Sequence, residues 1–369
     1  MKRQWRHSGW RAGLALAVCW ALSSTLAAPT LPLTRGVDLE GWLDAPQFEP
    51  LDPGNLKALP AIRAAGFDFV RLLVNPNAFT SARPSDPEPA ATLGRVLKAA
   101  RQSNLRVLVT LYDESPQKAE VVGGGRALDT YLVLLERLGG LLNAYDPRWV
   151  GLEPLDEPGD CSLTPTTWMQ RETQFVAAAR RSAPNLTLVL TGACFSDSYS
   201  LTQLVPPVDP NLIYGFQFLD PLTFTQQGNP ANELWAHFRN VPYPLAKASL
   251  PGILSGILKA IPDAPTRTQV QKEFLSISSD TFDQRNIQAQ MTAVSNWAAR
   301  NSARVLLGSF AVRQSAPRPD RMRWFHDVRT AAEARHFAWA AWSWSSPFGF
   351  GLTENGKLPA DLKKALGLP

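Results

Sequence analysis

Short apolar runs alternate with longer amphipathic stretches along this chain, and the alternation repeats eight times. The runs span residues 35–39, 67–74, 105–111, 149–155, 186–190, 212–219, 303–310 and 337–342. The helical patterns span residues 56–65, 91–103, 127–144, 167–182, 283–301 and 321–335. Near-continuous apolar runs are typical of parallel strands covered by helices. We therefore predict a single-domain α/β chain folded as a (β/α)8 TIM barrel. A doubly wound open sheet is the competitor, but it usually carries a Gly-rich phosphate turn after its first strand, and none is present.

The longest interval between two runs predicts an insertion of loops and helix at about residues 220–267. It contains a proline-rich loop, with Pro221, Pro230, Pro242 and Pro244, and then an apolar stretch, residues 245–261. That stretch suits either a helix on a membrane surface or a short helix capping the barrel, and its spacing favours the cap. No segment beyond the N-terminal leader offers the ~18 uninterrupted apolar residues of a membrane span.

The first 27 residues have the pattern of a secretory signal peptide. Four basic residues precede the apolar run 14–22, and small residues follow up to a predicted cleavage after Ala27. Cleavage would remove four positive charges and Cys19, and would lower the net charge from +5 to +1. The basic composition therefore gives no reason to expect a nucleic-acid partner. We predict a secreted or periplasmic protein; the alternative is a leader retained as an anchor.

Two cysteines, Cys161 and Cys194, remain once the leader is removed. In an exported protein such a pair more often forms a disulfide than a metal site, and we predict this bridge. Two unpaired buried thiols are the alternative. The histidines are scattered and no metal-binding spacing occurs, so no metal or cofactor is expected.

In a barrel of this kind the active site lies at the carboxyl ends of the strands. The fourth run ends in two adjacent acids, Asp156 and Glu157, before a proline. The second run contains Arg71, and an arginine between apolar residues needs an anionic partner. The eighth run ends at Trp342, and aromatic rings at a strand mouth offer flat faces for sugars, although tryptophans are also common in cores.

Several motifs, in order, resemble glycoside hydrolase family 5, the cellulase-type retaining glycosidases. They are GVDLEGW (36–42), GFDFVR (66–71), LDEP (155–158), YGFQFLDPLTFTQQG (214–228), VLLGSFA (305–311) and Trp342. The likeness extends from about residue 35 to residue 368. It implies an oligo- or polysaccharide partner, a β-linked glucan or mannan, and an acid/base role for Glu157. It also implies substrate contacts from Arg71, Asp156, Tyr112, Gln217, Trp342 and Trp42.

The sequence departs from the family pattern where the nucleophilic glutamate would stand, because Ser309 occupies that position. Retaining hydrolysis uses two carboxyl groups about 5–5.5 Å apart. A neutral serine with no adjacent histidine cannot readily attack an anomeric carbon. Further departures from the family's asparagine, histidine and tyrosine positions are Asp156, Tyr112, Gln217, Leu219 and Gln226.

Three interpretations follow for a protein expected to be a monomer. The first is a hydrolase whose second carboxylate comes from elsewhere; the candidates are Asp220, Asp113, Glu114 and Glu40. An inverting scheme accepts carboxyl groups about 6.5–9.5 Å apart. The second is a non-catalytic carbohydrate-binding barrel. The third is a cell-envelope scaffold that keeps only the fold.

The charge balance at Glu157 gives one more expectation. With a neutral residue at position 309, Arg71 loses an expected carboxylate partner and is free to favour the ionised form of Glu157. We therefore predict that Glu157 is mostly ionised near neutral pH. In that state it would be a poor general acid.

Overall fold

Eight parallel strands close into a barrel in chain order, and the last strand pairs with the first. The computed structural model describes residues 30–43, 56–79 and 89–369, without the side chains of residues 42 and 43. The (β/α)8 prediction is confirmed, whereas the predicted leader, with Cys19, lies outside the described residues. The strands are β1 Arg35–Leu43, β2 Phe69–Val74, β3 Arg106–Leu111, β4 Val150–Glu153, β5 Thr187–Thr191, β6 Leu212–Phe218, β7 Arg304–Phe310 and β8 Ala338–Ala341.

Each of the six predicted helical patterns corresponds to a helix of nearly the same length. Side-chain caps start some of them: Thr164 accepts the Thr167 N–H, and Asp283 forms a capping box with Asn286. The helices are α1 Ala58–Ala65, α2 Pro89–Gln102, α3 Pro116–Gly123, α4 Arg126–Leu142, α5 Pro165–Arg180, α6 Ser198–Thr202, α7 Leu222–Thr225, α8 Leu250–Lys259, α9 Ala264–Ile277, α10 Gln284–Asn301, α11 Arg318–Glu333 and α12 Ala360–Ala365.

Side-chain alternation along the strands separates two apolar layers. The outward residues pack against the helices, and the inward residues form a small apolar cluster inside the barrel. That cluster contains Phe69, Leu108, Val189, Ile213, Leu306 and Ala340. On β2 the next inward residue after Phe69 is Arg71, and on β3 the next inward residue after Leu108 is Thr110. The barrel interior therefore changes from apolar to polar toward the carboxyl ends of the strands.

The interval between β6 and β7 contains the predicted insertion. The apolar stretch 245–261 forms α8, which buries Leu250, Leu254 and Ile257 against the rest of the chain. A short helix is therefore present in this stretch, whereas its role as a cap on the barrel stays a prediction. Within the described residues, no helix has both the length and the apolar character needed to cross a membrane.

The fourth strand is shorter than predicted, since β4 ends at Glu153 rather than at residue 155. Pro154 has no N–H to donate to a sheet ladder, so the strand cannot continue through it. The Asp156 N–H still donates to the Leu111 carbonyl oxygen at 2.9 Å. Asp156 and Glu157 therefore stand in the turn that follows β4.

Candidate active site

Arg71 lies inside the barrel among three carboxylates. Its Nε is 2.8 Å from Glu153 Oε2, its Nη1 is 3.3 Å from Asp38 Oδ2, and its Nη2 is 2.7 Å from Asp156 Oδ1. All four side chains are at most 3% exposed. The prediction that Arg71 needs an anionic partner is confirmed. The expectation that it lacks a carboxylate partner is wrong, because three carboxylates from β1, β4 and the turn after β4 surround it.

One buried cation cannot neutralise three buried anions, so this cluster holds an excess of acid. Burial raises the pKa of Asp38 well above its usual value, with Arg71 opposing the shift and the neighbouring carboxylates adding to it. Burial likewise raises the pKa of Glu153. Burial also acts to lower the pKa of Arg71, but the carboxylates outweigh it and keep the guanidinium charged.

Glu157 stands beside this cluster and is only partly exposed. Its backbone is left-handed, with φ at 45°, and its N–H donates to Ser196 Oγ at 3.2 Å. Burial, then the charge of Asp156, raises the pKa of Glu157 to about 7, while Lys118 and Arg71 act to lower it. The sequence predicts that Arg71 favours ionised Glu157, but burial dominates and Arg71 is engaged by three other carboxylates, so the pKa is raised and the group is only about half ionised at pH 7. A carboxyl group that titrates near neutral pH suits general acid catalysis.

The loop after β5 is tied to the turn that carries Glu157. Cys161 and Cys194 form a disulfide with their Cα atoms 4.2 Å apart, which confirms the predicted bridge. Phe195 and Ser196 are both left-handed, with φ at 49° and 55°. Such conformations cost about 1–2 kcal/mol per residue, so they persist only where the surroundings hold them. Here the disulfide holds one side, and the Gln217 N–H donates to the Ser196 carbonyl oxygen at 2.7 Å on the other.

A cleft of about 670 Å³ opens beside Glu157, between the loops after β5 and β6. Two aromatic side chains on its wall are largely exposed, Phe195 at 56% and Tyr199 at 72%. Exposed rings at a cleft provide flat apolar faces. Other residues that line it are Cys194, Asp197, Gln217, Leu219, Asp220, Leu222, Gln226, Trp235 and Gln290.

Ser309 is buried near the end of β7, in register with Gln217 of β6. Gln217 Nε2 donates to Asp156 Oδ1 at 3.0 Å, which joins β6 to the turn after β4. At the preceding Gly308, a Cβ atom would lie 3.8 Å from Arg71 Nε. The end of β7 thus lies against the Arg71 cluster, and no ionisable group stands at position 309.

Tyr112 follows β3, and its O–H donates to Glu114, which is exposed. Burial, followed by the charge of Glu157, raises the pKa of Tyr112 far above its usual value. It therefore stays a phenol and can act only as a hydrogen-bonding group near Glu157.

Trp342 follows β8 and stacks on Phe350, with ring centroids 4.5 Å apart and an interplanar angle of 17°. Its indole N–H is buried and has no hydrogen-bond partner in the described part of the chain. The side chain of Trp42, which the sequence also predicts at the site, lies outside the described residues.

The four alternative carboxylates differ in their surroundings. Asp220 lines the cleft together with Glu157; it accepts a hydrogen bond from Gln290 at 2.9 Å, and burial raises its pKa. Asp113 accepts from the Ser115 N–H at 2.8 Å and so shapes the turn before α3. Glu40 is buried on β1, where its charge helps to raise the pKa of Asp38. With Glu114 bound to Tyr112, Asp220 is the one of the four on the cleft wall.

Sequence reasoning missed Asp38 and Glu153 as members of the site. A usable signal existed, because both are acids inside predicted apolar strands, as Arg71 is a base inside one. It also missed Phe195, Tyr199 and Ser196. Nothing in their sequence context points to the cleft, since their placement depends on left-handed backbone and on the disulfide.

Among the described residues, no group of three or more His, Cys, Asp or Glu side chains is arranged to hold a metal ion.

Comparison with protein families gives one match over most of the chain. The family model of cellulase (glycosyl hydrolase family 5) matches residues 48–347. Endoglucanase 3 of Fibrobacter succinogenes is 25% identical over 221 residues, which are 58% of this chain and 32% of that protein. The chain therefore spans about a third of that relative. Endoglucanase C of Acetivibrio thermocellus is 20% identical over 338 residues, which are 84% of this chain and 90% of that protein.

Solved structures support the same fold. The cellulose synthase subunit Z of Clostridioides difficile superimposes with a TM-score of 0.71 at 23% identity, covering 91% of this chain and 99% of that one. Endoglucanase Cel5A of Thermotoga maritima superimposes with a TM-score of 0.70 at 20% identity, covering 90% and 96%. At these identities the likeness establishes the barrel and nothing finer.

Proposed function

The chain belongs to glycosyl hydrolase family 5, the cellulase family, and we propose that it binds a β-linked glucan or mannan chain in the cleft beside Glu157. Glu157 is the acid of the site, and Ser309 removes the covalent, retaining route of hydrolysis. One observation carries the proposal: Glu157, whose pKa burial raises to about 7, lines a cleft that exposed aromatic rings also line.

The cleft suits a sugar chain because its wall combines apolar faces with hydrogen-bonding groups. Phe195 and Tyr199 offer rings on which the apolar faces of pyranose units can stack. Gln217 and Gln226 line the same space and supply amide groups for hydroxyls. Ligand sites of this kind are mostly apolar with a few convergent polar groups.

The site offers a general acid but no carboxylate nucleophile at position 309. Protonated Glu157 can donate to the oxygen of a glycosidic bond, which is the acid step of hydrolysis. A retaining enzyme would then form a glycosyl-enzyme through a second carboxylate. Ser309 is neutral and has no histidine among the residues paired with it in register, so it cannot form that intermediate readily.

A second candidate function, hydrolysis by single displacement, is favoured by Asp220. This carboxyl group lines the cleft with Glu157. In that scheme a water oxygen bonds to the anomeric carbon and gives its proton to Asp220, while Glu157 protonates the departing sugar oxygen. The anomeric configuration of the product is inverted.

The two candidates separate in one set of assays. The exported form, residues 28–369, is assayed for binding and cleavage of a soluble β-glucan and of aryl β-glycosides, beside Glu157→Gln and Asp220→Asn. Binding without cleavage supports the first candidate. Cleavage with inversion that is lost in both variants supports the second. Cleavage with retention, or absence of binding to any β-linked glycan, contradicts the proposal.

The location of the protein is part of the same proposal. Residues 1–27 direct export, so a polysaccharide would meet the barrel outside the cytoplasm, and the barrel acts as a monomer. Support comes from the order of basic, apolar and small residues in the leader. Fractionation of cells that produce the full chain tests the location, and a cytoplasmic protein of unprocessed mass would contradict it.

A further inference from the structure

We propose that Asp156 is a positioning residue that takes, opposite Arg71, the place of a carboxylate at position 309, so that residues 156 and 309 form one coupled pair. This inference deepens the proposed function and rests on it for its meaning in catalysis. The contacts that carry it belong to the barrel interior and do not depend on any ligand.

The first step is that Arg71 is already surrounded by carboxylates, and its single positive charge faces three of them. Each of its three guanidinium nitrogens faces a carboxylate oxygen, and the shortest of these contacts, 2.7 Å, is to Asp156. Gln217 Nε2 donates to the same Asp156 oxygen at 3.0 Å. Among the described residues, Asp38 Oδ1 and Arg71 Nη2 are both buried without a hydrogen bond, so the excess of acid in the cluster is one of charge, three carboxyl groups against one guanidinium.

The second step is that position 309 opens into the same space. Ser309 is in register with Gln217, and Gln217 contacts Asp156. The neighbouring Gly308 lies against Arg71 Nε. A glutamate at position 309 would therefore add a fourth carboxylate around one cation, and burying a further unpaired charge is costly. With asparagine at position 156, that place would be free.

The third step concerns Glu157, which follows Asp156 directly. After burial, the charge of Asp156 is the largest influence that raises the pKa of Glu157. A carboxylate at position 309 would act on Glu157 in the same direction, since like charges raise each other's pKa. Asp156 thus pairs with Arg71 and, after burial, adds most to the rise in the pKa of the neighbouring acid.

The test is a double-mutant cycle with a neutral control of the same size. Ser309→Glu and Ser309→Gln are made in the natural chain and together with Asp156→Asn, and thermal unfolding is measured at pH 7. In the natural chain we expect S309E to unfold ~2–4 °C below S309Q. With D156N that difference should shrink to less than half. Equal losses for S309E and S309Q in both backgrounds would overturn the inference.

A second readout separates positioning from structural support. The titration midpoint of Glu157, followed by carbon-detected NMR, should fall by about 1 unit in D156N because a like charge is removed. It should return toward the natural value in D156N/S309E. An unchanged midpoint in D156N would overturn the inference.

Folding of the variants and binding of cellohexaose provide two further tests. If S309E alone fails to fold while S309Q folds, a folded D156N/S309E supports the coupling, and an unfolded one overturns it. Binding of cellohexaose is measured on the same proteins. If residues 156 and 309 are coupled but cellohexaose does not bind, the proposed function is refuted and the inference stands. If cellohexaose binds but the two residues are not coupled, the inference is refuted and the proposed function stands.

Discussion

Asp156 Oδ1 lies 2.7 Å from Arg71 Nη2, so the turn after β4 is fastened to β2 across the barrel interior. This ion pair fixes Asp156, the residue that precedes Glu157. The same arginine also contacts Asp38 and Glu153 at the polar end of the barrel interior. The turn that carries Glu157 is thereby held in place without a carboxylate at position 309. Three predictions about stability follow from this arrangement, and a fourth concerns the cleft.

Replacing Arg71 by glutamine leaves three buried carboxylates without their cation. Removal of one partner from a buried ion pair costs about 3–5 kcal/mol, and we expect a loss of this size in the free energy of unfolding at pH 7. At pH 4 the loss should be smaller, because burial raises the pKa of Asp38 and of Glu153 and both can then be protonated. Denaturant unfolding of R71Q at the two pH values measures this. Arg71→Lys keeps the charge and should lose less; equal losses for R71Q at both pH values would contradict the account.

Glu157 should make the natural protein less stable as the pH rises. Its folded pKa, about 7, exceeds the value of 4.5 of the free group, so the folded state holds a proton that the unfolded state releases. The stabilisation is complete below about pH 4.5 and is lost as the pH rises through 7. Glu157→Gln removes this dependence, so its unfolding temperature relative to the natural protein should rise by ~2 °C or more between pH 4 and pH 8. Glu233→Gln, at an exposed position, is the control and should show no such rise. A constant difference for E157Q would refute the raised pKa.

The disulfide should support both stability and the cleft. Cys161→Ser with Cys194→Ser removes a bridge across 33 residues, and we expect a loss of about 2–4 kcal/mol. Because Phe195 and Ser196 follow Cys194 directly, affinity for cellohexaose should fall as well. Thr164→Ala, which removes the N-cap of α5, is a control that lowers stability by about 1 kcal/mol without touching the bridge. If the double serine variant binds cellohexaose as tightly as T164A does, the bridge has no part in shaping the cleft.

The barrel could be predicted from the sequence because each strand and each helix leaves its own hydrophobic pattern in a short stretch of the chain. Apolar runs such as residues 105–111 and helical patterns such as residues 283–301 each reflect one element in its own sequence context, and the eightfold repeat leaves few topologies. The disulfide was predictable for a related reason, since residues after β4 and β5 lie in neighbouring loops. The apolar run continues to residue 155, but β4 ends at Glu153 because Pro154 has no N–H for the sheet ladder.

The electrostatics of the site could not be predicted in the same way. They depend on which side chains meet across the barrel: Arg71 of β2 reaches Asp38 of β1 and Glu153 of β4, which are far apart in sequence. The prediction of an ionised Glu157 failed because it gave Arg71 only one possible partner and left out burial. The exposed rings of Phe195 and Tyr199 depend on a loop in which the left-handed positions are Phe195 and Ser196, neither of them a glycine.

The affinity of residues 28–369 for cellohexaose, measured by isothermal titration calorimetry, tests the proposed glycan-binding cleft most directly. Stacking on an aromatic ring contributes about 0.5–1.5 kcal/mol beyond area burial, so Phe195→Ala and Tyr199→Ala should each weaken binding about 2–10-fold. Tyr199→Phe keeps the ring and should bind as the natural protein does. The account predicts this order of affinities; failure of the natural protein to bind cellohexaose and other β-linked oligosaccharides, or equal binding by F195A/Y199A, would contradict it.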